Sequence, residues 1–382
     1  MSNKLSCWIA NNSLYLSFNG DIRHCCLQQL VNVESGIKKI KQNPDEFLKQ
    51  NSALQDIKKD LDNGIPNKHC STCWNLEAIG GQSKRQLFMP SSDQLLRHLD
   101  LRLGNKCNLK CKMCFPTWSS QIVNHYVSAK QSGIVNMFNE FSDTMPIDDD
   151  NMTFLDDSFE LIKNAPHLNS IQIAGGEPFI MPEVELFLEK LNSLNRKIKL
   201  CILSNITVIN DSILETLKKF NDVTINCSID GVGEDLEYQR TSSKWNVIER
   251  NFNKLYEANV KTLLIPCFSH LNFESVVDFL TWASTFEKTN VLFNEVVDPS
   301  FLNFKLVPIE YRKSLIEQIE GFELPKNVHT NYQVFFNSIK NEYRRITTEE
   351  QYKLKCAVDL WDHKSNVKYR ERYRWANVLL NQ

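Results

Sequence analysis

Three cysteines fall within eight positions of the stretch "GNKCNLKCKMCFPTW": Cys107, Cys111 and Cys114. Spacings of four and three let one tight loop wrap its thiolates around a compact inorganic core. A structural zinc takes a fourth close ligand, whereas an iron-sulfur cube held by three thiolates keeps one iron open for a substrate or cofactor. The alternative, three cysteines packed as small apolar residues, conflicts with the polar Asn105, Lys106, Asn108, Lys110 and Lys112 around them.

A second group lies upstream. Cys70 and Cys73 form a C-x2-C pair, and Cys7 with Cys25 or Cys26 completes a set of four. Neighbours in an extended strand face opposite sides, so one of Cys25 and Cys26 is the ligand, and Cys25 is favoured. Four thiolates close a coordination sphere, which a fully ligated [4Fe-4S] cluster or a structural zinc would equally satisfy. Cys201, Cys227 and Cys267 each lie within a strand and read as buried small hydrophobes. His24 reads as an exposed hairpin histidine.

These side chains belong to a chain of 382 residues with 42% hydrophobic content, enough for one large core or two. A formal charge of -2, from 44 basic and 46 acidic residues with no Lys/Arg block, leaves no field for gathering polyanions. Nucleic acid is therefore not an expected partner. The first twenty residues lack a basic segment followed by a long apolar run, and no run reaches the ~18 apolar residues of a membrane span. The expectation is a soluble, cytoplasmic protein without membrane contact. In that compartment closely spaced cysteines bind metal rather than pair.

The elements that must position them follow from the periodicity. "LYLSF-NG-DIRHCC" reads as a hairpin turning at Asn19-Gly20 and delivering Cys25 and Cys26. A helical pattern through "PDEFLKQNSALQDIKKDLDNG" leads to "CSTCW", making a small α+β module over residues 1–92 with a thin core that a metal would help hold. No separate peptide-recognition domain is read before it. From residue 93 to 305, six short strands ("HLDLRLG", "LNSIQIAGGEP", "KIKLCILSN", "DVTINCSIDG", "VKTLLIPCFSH", "TNVLFNEVVDP") alternate with helical segments. Such βα repeats predict an α/β fold, a partial (β/α)6 barrel with a parallel sheet. Residues 306–382 read as a helical C-terminal extension.

Cys107, Cys111 and Cys114 directly follow the first barrel strand, where barrel enzymes build their sites. A C-x3-C-x2-C loop in that place resembles the radical S-adenosylmethionine (SAM) superfamily over roughly residues 97 to 305. The resemblance implies a [4Fe-4S] cluster whose open iron chelates SAM, and reductive cleavage to a 5′-deoxyadenosyl radical that abstracts hydrogen from a substrate. It implies that Gly175, Gly176 and Glu177 of "IQIAGGEP" meet the methionine amino group, with glycines letting backbone approach closely. Ser204 and Asn205, and Ser228 and Asp230, resemble residues that bind the ribose and methionine portions. Arg240 resembles the arginine that pairs with the methionine carboxylate, a match of planar fork to carboxylate, and Phe115 stands where an aromatic flanks the adenine. Strand-end capping, a surface arginine and plain core packing are the structural alternatives for these positions.

The upstream cysteines resemble the twitch or SPASM-type extension that carries auxiliary clusters, although such extensions usually follow the barrel. Cys267, near the end of the fifth strand, is the candidate thiol for returning hydrogen to a substrate radical. The expected partners are a peptide or peptide-like substrate undergoing cross-linking, oxidation or epimerisation, or a small metabolite such as an amino sugar or amino acid. An electron donor such as flavodoxin or ferredoxin completes the set. The reading from another class is a non-enzymatic zinc-binding interaction protein.

Overall fold

The computed structural model describes residues 5, 7–28, 36–78, 83–87, 93–131, 152–323, 332–363 and 365–381. Its strands are β1 (Ser13–Ser17), β2 (Ile22–Arg23), β3 (His98–Arg102), β4 (Lys110–Cys111), β5 (Ser170–Ala174), β6 (Lys199–Ser204), β7 (Val223–Cys227), β8 (Arg240–Thr241), β9 (Lys261–Leu264), β10 (Cys267–Phe268), β11 (Asn290–Val291) and β12 (Asn294–Glu295). One sheet of eight strands has the order β11-β9-β7-β6-β5-β3-β1-β2, and so contains all six expected barrel strands. The chain divides into two compact units: residues 1–104, 148–203 and 210–224 in the first, and 105–147, 204–209 and 225–382 in the second.

In the first unit β1, β3, β5 and β6 pair in parallel, while β2 returns antiparallel on β1 across the Asn19-Gly20 turn, with Gly20 at φ +90°. The register aligns two apolar rows, Leu14-Leu99-Ile171-Leu200 and Leu16-Leu101-Ile173-Ile202, every member at most 1% exposed. Because side chains alternate across a strand, the intervening row is Tyr15-Asp100-Gln172-Cys201. Asp100, 2% exposed, accepts from Arg102 Nη2 and Gln172 Nε2, each at 3.1 Å, which satisfies the charge that burial would otherwise penalise.

The segment expected as a separate module thus contributes β1 to the same sheet as β3. The alternation of β1 indicated a strand and its hairpin partner, not the parallel pairing with β3 that buries it at all five positions. The rest of the segment is short helices, capped by the side chains of Asn43 and Asn51. Its own apolar cluster is small, as expected: Ala10, Ile57 and Leu61, with Leu5, Cys7, Cys70 and Trp74 packed against them. The boundary expected at residue 92 lies outside the described residues.

In the second unit β9 pairs with β11, β10 pairs with β12, and β4 pairs antiparallel with β8. The fifth expected strand is therefore broken into β9 and β10, since Pro266 between them has no N–H to donate to a ladder. Beyond Pro308 the described chain is helical, as expected. Arg312 crosses this region fully buried, donating to the carbonyls of Val307, Ile339 and Glu342. Among the described residues no helix is long and apolar enough to cross a membrane.

The aligned apolar rows give the fold a direct test. Ile173→Ala should lower the unfolding free energy by about 2–5 kcal/mol in a denaturant titration. The same truncation at Leu186, which is 52% exposed, should stay within about 0.5 kcal/mol. Equal losses at the two positions would contradict the register.

Candidate functional site

The three-cysteine loop begins with Asn105, whose carbonyl accepts from Ser120 N at 2.7 Å, and Ser119 Oγ closes it by donating to Leu109 O at 2.8 Å. The antiparallel β4–β8 pair then sets Cys111 opposite Arg240. Lys112, inside the loop, donates through Nζ to Tyr238 O at 2.6 Å and Thr241 Oγ1 at 2.9 Å, and its ammonium lies 3.9 Å from the Tyr238 ring centroid. A lysine that looked like loop polarity is therefore a clamp on the chain leading to Arg240. Nothing in its sequence context distinguished it from Lys106 or Lys110.

All three cysteines are free of disulfides. Burial pushes the Cys114 thiol well above its ordinary range, and the neighbouring Cys111 and Cys107 push it the same way. Burial raises Cys111 too, against the opposing pull of Arg240. Each buried thiol stays protonated until a metal displaces its proton. Two side chains aim donors at these sulfurs: Arg240 Nη1 lies 3.8 Å from Cys111 Sγ, and Asn205 Nδ2 lies 4.0 Å from Cys107 Sγ. Outer hydrogen bonds of this kind stabilise metal-bound thiolates. Three adjacent thiols, two of them with donors on their sulfurs, and no fourth cysteine in the loop fit a cube with one open iron. Among the described residues no three His, Cys, Asp or Glu side chains are drawn together as around a single metal ion. A cube distributes its thiolates over separate irons.

The strand-end residues of the second unit form a connected polar network. Asp230, fully buried, pairs with Arg240 Nε at 2.6 Å, accepts from Cys267 N at 2.9 Å and accepts from Gln239 Nε2 at 3.2 Å. Its own carbonyl accepts from Asn272 Nδ2 at 2.5 Å. Arg240, 8% exposed, is thus not on the surface: burial opposes its charge, and Asp230 and Cys111 outweigh that. Cys267 sits beside this pair, and burial lifts its thiol to about 12.

Ser204 Oγ accepts from Ile206 N at 2.8 Å, and Ser228 N donates to Ser204 O at 2.9 Å. Asn205 bridges Asn108 Oδ1 and the Thr207 N–H. Ile206 has φ +48°, which is strained for a β-branched residue. Asn251 Nδ2 holds its carbonyl at 2.8 Å. Sequence reading missed Ile206, because nothing in an apolar residue announces a left-handed backbone. Phe115 is half-buried ahead of the 3-10 turn Pro116–Trp118.

In the first unit Gly175 and Gly176 adopt φ +98° and +55°, and a Cβ on Gly175 would lie 3.0 Å from Gly104 O and Leu103 N. Gly175 is required by backbone contact, and Gly176 by its left-handed backbone. Glu177, 1% exposed, caps the next turn by accepting from Phe179 N at 3.2 Å.

The upstream cysteines also converge in the first unit. Cys7, Cys25, Cys70 and Cys73 line one cavity with Trp74, Lys84 and Arg85. Burial raises the Cys7 thiol and pushes that of Cys70 up to about 12, and Cys70 is raised further by Cys7 and Cys73. Cys26 is not among the lining residues, and Lys84 Nζ donates to its sulfur at 3.1 Å. His24 corrects the expectation of an exposed ring. It is 1% exposed, its Nε2 meets Leu54 O at 3.2 Å, and burial holds its pKa down at about 4.

Residues 101–283 match the model of the Radical SAM superfamily, so the chain carries a radical SAM domain. Members of that class are enzymes, and the class implies a [4Fe-4S] cluster and SAM. Among curated proteins the chain resembles GTP 3',8-cyclase of Clostridium botulinum, 24% identical over 174 residues, or 44% of each chain. It also resembles the radical SAM cyclopropyl synthase TigE of Paramaledivibacter caminithermalis, 26% identical over 215 residues, or 53% of this chain and 43% of that one. The chain spans under half the length of these relatives. Among solved structures, anSMEcpe with bound AdoMet aligns at a TM-score of 0.41 and 20% identity, over 65% of this chain and 61% of that one. Streptococcus suis SuiB bound to S-adenosylmethionine aligns at 0.39 and 16% identity, over 80% and 68%.

The cavity membership predicts which adjacent cysteine binds metal. Cys25→Ser should lower the metal content of purified protein, whereas Cys26→Ser should leave it unchanged, as read by elemental analysis. The reverse order would show that the hairpin turns the other way.

Proposed function

We propose that Cys107, Cys111 and Cys114 hold a [4Fe-4S] cluster whose open iron takes SAM, and that the protein generates a 5′-deoxyadenosyl radical to abstract hydrogen from a substrate. The observation that carries this reading is the loop of three adjacent thiols, two with donors aimed at their sulfurs, inside the radical SAM domain. When bound, the cluster supplies the electron for reductive cleavage of the sulfonium. The chain's own part is to hold and enclose. Asn205 and Arg240 donate to the sulfurs of Cys107 and Cys111, and Lys112 clamps the loop. The resemblance assigns Gly175, Gly176 and Glu177 to the methionine amino group, Ser204, Asn205, Ser228 and Asp230 to the ribose and methionine portions, and Phe115 to the adenine. Cys267, partly buried and held protonated by its surroundings, is suited to donating a hydrogen atom rather than to acting as a thiolate nucleophile.

The second cavity supports an auxiliary [4Fe-4S] cluster on Cys7, Cys25, Cys70 and Cys73, a twitch or SPASM-like arrangement placed before the barrel. Its resemblance to that extension favours a peptide or peptide-like substrate, modified by cross-linking, oxidation or epimerisation. A small metabolite is the second reading, supported by the curated relatives named as GTP 3',8-cyclases. Either reaction draws electrons from a low-potential donor such as flavodoxin or ferredoxin, and the thiol-bound iron suits a reducing cytoplasm.

Anaerobic reconstitution tests the proposal. The expected protein is brown, holds about eight irons for two cubes, and forms 5′-deoxyadenosine from SAM under reductant, measured by chromatography with mass detection. Replacing Cys107, Cys111 and Cys114 by alanine should leave about four irons and abolish that product. Replacing Cys70 and Cys73 should also leave about four irons but retain cleavage. A colourless zinc protein would overturn the assignment.

A further inference from the structure

Arg240 makes two contacts that its expected role does not require. Its Nε pairs with the fully buried Asp230 at 2.6 Å, and its Nη1 points at Cys111 Sγ from 3.8 Å. Neither contact is accidental to a mobile side chain. Asp230 is itself held by Cys267 N and Gln239 Nε2, the β4–β8 register fixes Arg240 opposite Cys111, and Lys112 N donates to Gln239 O at 2.9 Å. The guanidinium is therefore locked between one carboxylate and one sulfur.

We infer that Arg240 is a positioning residue for the cluster, a fixed cation and hydrogen-bond donor on the Cys111 thiolate that raises the cluster's reduction potential, rather than primarily the ligand of the methionine carboxylate. This rests on the three-thiolate reading above. The physical reason is charge: reduction adds one negative charge to the cluster, and a buried donor on a ligand sulfur stabilises that form more than the oxidised one. Asp230 keeps the arginine's charge stably housed and sets its direction. An arginine dedicated to a carboxylate would leave both nitrogens of one edge available for a bidentate pair, yet here Asp230 already takes Nε and Cys111 takes Nη1.

The test separates the two roles by measuring a potential without SAM and an affinity with it. Reconstituted wild-type protein and Arg240→Gln are titrated electrochemically under EPR, with Cys70 and Cys73 replaced by alanine in both to leave one cluster. Arg240→Gln should lower the reduced fraction at a fixed ambient potential about tenfold, a shift of about 59 mV to more negative potential for one electron. SAM affinity, read from the change in the EPR signal, should fall less than threefold. An unchanged potential with SAM affinity weakened tenfold or more would overturn the inference and return Arg240 to the carboxylate. Should Arg240→Gln fail to retain iron, Arg240→Lys decides: it keeps the charge and loses the fork, so near-wild-type SAM affinity supports the inference and a tenfold loss of affinity at an unmoved potential refutes it. If the background protein assembles no cluster on Cys107, Cys111 and Cys114, the three-thiolate reading itself fails.

Discussion

A cube held at three corners depends on a loop that cannot drift, because no fourth ligand corrects its position. In this chain the constraint falls on one buried carboxylate. Asp230 is fully buried and is stable only while Arg240, Gln239 and the Cys267 N–H satisfy its oxygens. Those same groups carry Arg240 to Cys111, while Lys112 ties the loop to Tyr238 and Thr241. The site is thus built outward from an ion pair whose breaking would leave a charge unpaired in the interior.

Strand-end carboxylates and arginines near such loops are easily read as ligand contacts. Burial changes their meaning. Asp230 and Arg240 are already one another's partners, so whatever binds nearby meets a neutralised pair rather than two free charges. The first unit shows the same economy at Asp100, whose charge is met by Arg102 and Gln172 within a row that crosses β1, β3, β5 and β6.

The parallel strands were legible because short apolar runs ending in turn residues have few other solutions, and the cysteine loop because its spacing is chemically narrow. Alternation said only that one of Cys25 and Cys26 faces a metal; both lie beyond the end of β2, and of the two Cys25 lines the cavity with Cys7, Cys70 and Cys73. Other features were hidden for physical reasons. Alternation marks a strand but not its partner across eighty residues, which concealed how β1 joins β3. The left-handed backbone at Ile206 carries no compositional mark, and His24 looked exposed because a hairpin's inner side depends on the helix packed there, which supplies Leu54 O. Lys112 resembled every other loop lysine until its partner Tyr238, more than a hundred positions on, was placed.

The central claim is an open iron on a three-thiolate cube, and binding of labelled SAM to that iron tests it most directly. Protein reconstituted without oxygen, reduced and mixed with SAM carrying 15N in its amino group and 17O in its carboxylate, is examined by electron-nuclear double resonance. The account predicts hyperfine coupling from both labels to the cluster spin, lost when Cys107, Cys111 and Cys114 are replaced together. A cluster signal indifferent to both labels would contradict it.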